Sequence, residues 1–94
     1  MSGISLLAAL KAFDATARAG SITTAAQQLG LRQPTVSAHI LRLEADYGVE
    51  LFFRKGRRLV LTEFGDTLLE HTRRVFSAEE DARSLLTAAK THYS

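Results

Sequence analysis

Residues 20–48 read GSITTAAQQLGLRQPTVSAHILRLEADYG, and the rest of the chain is organised around this stretch. A short helix is indicated by apolar residues at the spacing of one helix face, namely Ile22, Ala25, Ala26 and Leu29. Ser21 is a favoured N-cap for this helix, and Gly30 supplies a left-handed stop. Pro34 suits the first residue of a second helix, because that position needs no backbone donor. The stretch therefore predicts two helices joined by a tight turn, the second ending before Gly48.

The second helix, from Pro34 to about Tyr47, has two unlike faces. Its predicted buried stripe consists of Val36, Ile40, Leu43 and Tyr47. Its far side consists of Pro34, Ala38, Leu41 and Ala45, with Thr35, Ser37 and Arg42 beside them. We expect the stripe to pack inside the domain and the polar start of the helix to face outward.

Further elements are predicted on both sides of this pair. Upstream, the stretch from Ile4 to Ala19 is rich in Ala and Leu at helical spacing, which predicts a helix that stops at Gly20. Downstream, residues 51–54 and 59–62 are rich in aromatic and branched side chains. They predict a short β-hairpin, with residues 55–58 as its basic tip.

A long final helix is predicted from Glu63 to about Thr91, with Thr62 as its N-cap. Its heptad-spaced residues form a predicted dimer seam, which consists of Phe64, Leu68, His71, Val75, Ala78, Ala82, Leu85 and Ala89. The helix also carries the apolar residues Leu69, Phe76 and Leu86. A helix of this length cannot bury all of these side chains alone, so the pattern predicts a partner helix. His71 either opposes dimerisation when charged or lies at the edge of the seam without a role.

Composition excludes several classes of protein. The chain has 94 residues, 46% of them hydrophobic, which indicates a single folded domain. It has no Cys, and its three His lack metal-ligand spacing, so we expect no metal, no cofactor and no catalysis. It has neither an apolar run long enough to span a membrane nor the features of a secretory signal, so we expect a cytoplasmic protein.

The net charge of +2 is divided unevenly along the chain. Residues 31–62 carry +3, whereas residues 63–94 carry −2. Within the hairpin, residues 54–58 read RKGRR, which places four cations in five residues. Such a run is typical either of a nucleic-acid contact or of a solvated loop.

The order of elements favours a mainly α fold, a winged helix-turn-helix, followed by a long dimerisation helix. Two short helices around a tight turn form the arrangement whose second helix enters the DNA major groove, and a basic hairpin after it is a wing. Two alternatives stay open at this point. In the first, the helices serve packing alone in a three-helix bundle. In the second, the winged helix is a protein-interaction or RNA-binding module.

The residues from Phe13 to Gly65 also resemble the N-terminal DNA-binding domain of LysR-type bacterial transcription regulators. The resemblance is carried by Gly20-Ser21, Ala25-Ala26, Leu29, Gln33-Pro34, Val36-Ser37, Ile40, Leu43-Glu44, Gly48, Leu51-Phe52, Arg54, Leu61-Thr62 and Gly65. It implies a winged helix-turn-helix over residues 1–62 and a linker and dimerisation helix over residues 63–94. It also implies a homodimer on an interrupted palindromic DNA operator. A small-molecule effector would bind only to a C-terminal domain that is absent from this chain.

The resemblance implies that Gln33, Pro34 and Ser37 contact bases or backbone and that Arg57 enters the minor groove. Gln matches the adenine edge, and Arg suits a narrow A·T-rich minor groove. The remaining expected DNA contacts are phosphate contacts, assigned to Arg54, Lys55 and Arg58 in the wing and to Ser21, Thr23, Thr24, Arg32 and Arg42 elsewhere. The alternative for Ser21 is that it only caps its helix.

The recognition helix departs from the family pattern at Ala38 and Leu41, where many members have longer or polar residues. We hypothesise that Thr35, Ala38 and Leu41 present methyl groups to thymine, which predicts T/A-rich half-sites. The alternative for Leu41 is packing under the wing or against a neighbouring chain. His39 is expected to be either a partly exposed bystander or a phosphate contact.

Overall fold

The structure is a computed structural model that describes residues 5–93. Its elements are α1 (Leu6–Ala19), α2 (Ile22–Leu29), α3 (Gln33–Tyr47), β1 (Phe52–Lys55), β2 (Arg58–Leu61) and α4 (Glu63–Tyr93). The predicted start of the first helix at Ile4 lies outside the described residues. The mainly α winged fold with a long final helix is confirmed.

The helix ends follow the capping residues that the sequence indicates. The Ser21 hydroxyl accepts the Thr24 N–H at 3.2 Å, and the Thr62 hydroxyl accepts the Gly65 N–H at 2.9 Å. The prediction that Pro34 is the first residue of its helix is wrong by one position. Because Gln33 already has helical geometry, Pro34 is the second residue, and it still lies within the first turn, where a backbone donor is unnecessary.

The core consists of two apolar clusters around α1. One cluster contains the buried residues Ala9, Phe13, Leu43, Leu51 and Leu69, and the other contains Ala12, Ala26, Val36 and Ile40. Phe52 packs against both clusters, and its ring centroid lies 5.5 Å from that of Phe13. The hairpin is therefore anchored to the helices by the first residue of β1.

Tyr47 does not belong to the buried stripe of α3, and that prediction is wrong. The other three stripe residues are buried, whereas Tyr47 is 62% exposed. α3 ends directly after it, at Gly48, and the next core side chain is the fully buried Leu51. The core beyond Leu43 is therefore filled from the start of the hairpin rather than from the last turn of α3.

The two strands pair antiparallel, from Phe52 with Leu61 to Lys55 with Arg58, and the turn contains Gly56 and Arg57. Both observed strands thus lie one residue nearer the turn than the predicted strands, 51–54 and 59–62. Leu51 lies before the ladder, and its N–H donates to the Glu44 carboxylate at 2.8 Å. Gly56 has a φ of +65°, a left-handed value that glycine adopts without strain, which allows so tight a turn.

α4 starts inside the core and then leaves it. Gly65, Leu69 and Thr72 are buried, whereas most described residues from 77 onward are exposed. Leu69 and the half-buried Phe76 therefore pack within their own chain, contrary to the prediction that they require a partner helix. Leu86 is 70% exposed. No helix among residues 5–93 combines the length and the apolar character that crossing a bilayer requires.

A buried hydrogen bond joins α1 to α4. The Thr72 hydroxyl donates to the Asp14 carboxylate at 2.7 Å, and Arg18 pairs with the same carboxylate at 3.3 Å. We expect Thr72→Val to lower the free energy of unfolding by about 1–3 kcal/mol, because it leaves a buried carboxylate oxygen without its donor. Thr67→Val, on an exposed position of the same helix, is the matched control and should change stability by less than about 0.5 kcal/mol in urea unfolding. Equal effects would contradict the structural role of this hydrogen bond.

Candidate nucleic-acid interface

The start of α3 is open to solvent. Arg32, Gln33, Pro34 and Thr35 are all exposed, and Ser37 is half-buried. Arg32 occupies the N-cap position and makes no side-chain capping bond. Four consecutive residues at this helix start are therefore free to contact a ligand, as their predicted role requires.

The wing carries the cations that the sequence predicted for it. Arg54, Lys55, Arg57 and Arg58 are all exposed, and within residues 5–93 none of them has a carboxylate oxygen within 4.0 Å. Arg42 differs, because it pairs with Asp46 at 3.1 Å along α3. The unpaired positive charge of this surface is thus concentrated in the hairpin.

The start of α2 offers fewer free donors than the sequence suggested. The Ser21 hydroxyl and the Thr24 N–H bond to each other, while the side chains of Thr23 and Thr24 are exposed. Ser21 therefore caps α2 through its oxygen, and its hydroxyl hydrogen, like the hydroxyls of Thr23 and Thr24, stays available for a phosphate.

A network of hydrogen bonds fixes the wing relative to α3 and α4. Glu44 accepts the Leu51 N–H at 2.8 Å, the Leu51 carbonyl accepts the Thr62 N–H at 3.0 Å, and the Thr62 hydroxyl donates to the Glu50 carbonyl at 2.6 Å. We did not predict the role of Glu44 from the sequence. In the sequence, Glu44 is a carboxylate on the border of the apolar stripe of α3, seven residues before the buried Leu51, and it is one of the residues that carry the family resemblance.

The seam of α4 is mostly uncovered in the single chain. Phe64, Val75 and Leu85 are 50%, 41% and 72% exposed. His71, Ala78 and Ala82 are also exposed, and Ala89 is half-buried. Leu68 is half-buried against the core of its own chain.

The first turn of α1 adds an apolar surface that the sequence argument missed. Leu6 and Leu7 are each about half exposed. Leu7 lies one turn before Leu10, and Leu10 and Leu68 both pack on the same core cluster. The start of α1 therefore presents two half-exposed leucines next to the core cluster on which Leu68 packs.

Metal-ligating clusters are absent from the part of the chain that the structure describes. His39, on α3, is half-buried, and its Nδ1 atom is buried without a hydrogen-bond partner. Only the Nε2 edge of the ring is left for an outside contact, and both predicted roles of His39 stay predictions.

These elements define a winged helix-turn-helix domain with an exposed recognition helix and a basic wing. Residues 7–66 match the family model described as "Bacterial regulatory helix-turn-helix protein, lysR family". The chain belongs to the LysR family, as a helix-turn-helix DNA-binding domain and not an enzyme.

The relatives of the chain are transcription regulators. It is 44% identical to the HTH-type transcriptional regulator CbbR of Rhodospirillum rubrum over 81 residues, which is 86% of this chain and 27% of CbbR. It is 46% identical over 80 residues to an HTH-type transcriptional regulator of Azotobacter vinelandii, covering 85% of this chain and 56% of the relative. The chain thus spans between about a quarter and just over half of these relatives.

Solved structures of DNA complexes share the fold. The CbnR DNA-binding domain bound to DNA matches with a TM-score of 0.73 and 36% identity, over 89% of this chain and 97% of that one. The BenM DNA-binding domain bound to catB site 1 DNA matches with a TM-score of 0.79 and 27% identity, over 89% and 93% of the two chains.

Proposed function

We propose that the chain binds double-stranded DNA in a sequence-specific manner, as a homodimer that places two α3 helices in major grooves and two wings in flanking minor grooves. The observation that carries this proposal is the pairing of an exposed polar start of α3 with four wing cations that lack acidic partners among the described residues. The DNA-bound CbnR and BenM domains support it, because this chain covers nearly their whole length. The DNA operator that we propose for this homodimer is an interrupted palindrome.

The proposed contacts divide into two classes. Gln33, Pro34, Ser37, Thr35 and Ala38 read base edges, with the methyl groups of Thr35 and Ala38 toward thymine, and Arg57 enters an A·T-rich minor groove. Phosphate contacts position the domain without reading sequence, and they are assigned to Arg54, Lys55 and Arg58, with Ser21, Thr23, Thr24 and Arg32 as further donors. Arg42 would have to leave Asp46 to join this second class.

Dimerisation is proposed through the seam of α4, extended by the start of α1. Five seam residues with an apolar side chain are exposed, namely Phe64, Val75, Ala78, Ala82 and Leu85. A second copy of the helix would cover them, because residues at heptad spacing form a continuous stripe. Under this proposal residues 1–62 are the DNA-binding unit, and residues 63–94 link and pair two such units in a cytoplasmic regulator.

Selection of binding sites from a random duplex pool tests the proposed function. We expect an enriched A/T-rich motif, and an affinity that falls steeply with salt because phosphate contacts release counterions. Arg57→Ala should weaken binding to the enriched duplex. Equal affinity for single-stranded RNA, or no enrichment, would contradict the proposal and favour an RNA-binding or protein-interaction module.

Gln33 and Lys55 should differ in their effect on specificity. We expect Gln33→Ala to lose about 1–3 kcal/mol of discrimination at one base pair, because the Gln amide matches one base edge. Lys55→Ala should weaken binding to all duplexes alike, and it should reduce the slope of log affinity against log salt concentration by about one. Anisotropy titrations on a set of single-base variants measure both effects, and an identical pattern of losses for the two variants would refute this division.

A further inference from the structure

A cleft of about 240 Å³ separates α3 from the wing. Leu41 and Ser37 line it on the α3 side, and Leu59 and Arg54 line it on the wing side. Its floor is apolar and consists of Ile22, Ile40 and Phe52. The cleft therefore has apolar walls between two elements that carry polar and basic groups.

Leu41 is the unexpected residue of this cleft. It is 63% exposed, so it does not pack under the wing of its own chain. Leu59 faces it from the hairpin and is half-buried. An exposed leucine beside a second apolar wall indicates a surface that a partner covers, although a single exposed leucine elsewhere would need no explanation.

The charges around the cleft favour a polyanion as that partner. Arg54 pairs with Leu59 across the hairpin, so the two side chains share one face of the wing. The wing guanidinium has no carboxylate oxygen within 4.0 Å in the described part of the chain. Glu44 lies at the inner end, but its carboxylate is half-buried and accepts the Leu51 N–H at 2.8 Å.

We propose that this cleft holds the deoxyribose edge of the DNA strand that crosses between the major groove and the minor groove. The inference rests on the proposed function, because α3 in one groove and the wing in the next leave one sugar–phosphate strand above the cleft. The phosphates of that strand meet Arg54. The sugar carbons meet Leu41 and Leu59, since neither leucine can satisfy a phosphate oxygen.

The chemistry of the sugar makes this contact selective for DNA. The C2′ atom of deoxyribose carries only hydrogens and packs well against leucine. A ribose hydroxyl at the same place would lose its water without gaining a hydrogen bond. Leu41 and Leu59 thus contribute affinity that does not depend on salt, and they disfavour a ribonucleotide in the strand between the two grooves.

The test uses the full chain and a duplex enriched from the random pool. We expect Leu41→Ala and Leu59→Ala each to weaken binding about three- to tenfold at every salt concentration, with an unchanged salt slope. Arg54→Ala should instead reduce the slope by about one. Thr87→Ala is the control, because Thr87 is exposed on the side of α4 opposite the seam and outside the proposed DNA interface, and this variant should bind as the parent chain does.

Single ribonucleotides, placed in turn along one strand of the duplex, test the sugar contact directly. Ribonucleotides at the positions above the cleft should weaken binding by the parent chain severalfold. The same ribonucleotides should not change the affinity of the Leu41→Ala variant. Deoxyuridine in place of thymidine removes only a base methyl group, so it should not reproduce this pattern. Parental binding by both leucine variants, or a loss that follows deoxyuridine and not ribose, overturns the inference. Failure of the parent chain to bind any duplex overturns the proposed function instead.

Discussion

Gly65→Ala should destabilise the domain by about 3 kcal/mol, although helix propensity alone predicts the opposite result. Gly65 lies in the first turn of α4, and alanine is the better helix former, by about 1 kcal/mol in a helix interior. However, a Cβ atom at this position would collide with the carbonyl oxygen of Leu51 and lie 3.0 Å from a Leu61 methyl carbon. The obstacle is backbone, so a rotamer change cannot relieve the clash, and overpacking of this kind costs about 1–3 kcal/mol or more.

The same carbonyl accepts the Thr62 N–H at 3.0 Å, so moving it also disturbs the start of α4. We expect the melting temperature to fall by roughly 10–20 °C in thermal unfolding followed by circular dichroism. Gly48→Ala is the matched control. Gly48 has a φ of +62° and open space around it, so alanine there costs only backbone strain, about 1–2 kcal/mol. If the Gly65→Ala variant is no less stable than the Gly48→Ala variant, the close contact of α4 with the Leu51 carbonyl does not exist as described.

Much of this fold could be predicted because local signals agree with the tertiary structure. Glycines at positions 20, 30 and 48 each adopt a left-handed conformation and end a helix, which is the role their spacing indicates. Ser21 and Thr62 cap the helices that follow them. Helix caps and helix ends depend on a few neighbouring residues, so they can be predicted directly from the local sequence.

Features that depend on long-range packing were less predictable. The apolar spacing of α3 includes Tyr47, but whether that position is covered depends on where the chain turns next. The roles of Glu44 and of the Asp14–Thr72 hydrogen bond arise from contacts across seven and fifty-eight positions. Similarly, heptad spacing does not show that Leu69 and Phe76 face their own domain, because both surfaces of α4 are apolar near its start.

The candidate site also combines features that the local sequence predicts with features that depend on long-range packing. Exposure of the α3 start and of the wing cations follows from their charge and polarity, and the sequence predicted it. The cleft beside Leu41 depends on the angle between α3 and the hairpin, which is set by the Glu44–Leu51 hydrogen bond and by Phe52 in the core. Neither contact is a property of the local sequence.

Replacing Val75 and Leu85 together by aspartate should convert the proposed dimer into a monomer. These side chains are 41% and 72% exposed in the single chain, so the double variant should fold normally, unlike a change at Leu68, which packs on its own core. Two charges per chain in an apolar helix seam would be buried without partners. Sedimentation at low micromolar concentration should show the parent chain as a dimer and the variant as a monomer.

Loss of the dimer should lower affinity for a duplex with two half-sites by about 100-fold or more, because the second half-site no longer binds as part of one complex. Affinity for a duplex with one half-site should stay unchanged, which separates lost dimerisation from misfolding. Thr87→Asp is the control for Leu85→Asp, because Thr87 is also exposed but lies about 200° from Leu85 around the helix, on the side opposite the seam. A dimer that persists in the double variant, or that is lost equally with Thr87→Asp, would place the interface on another surface.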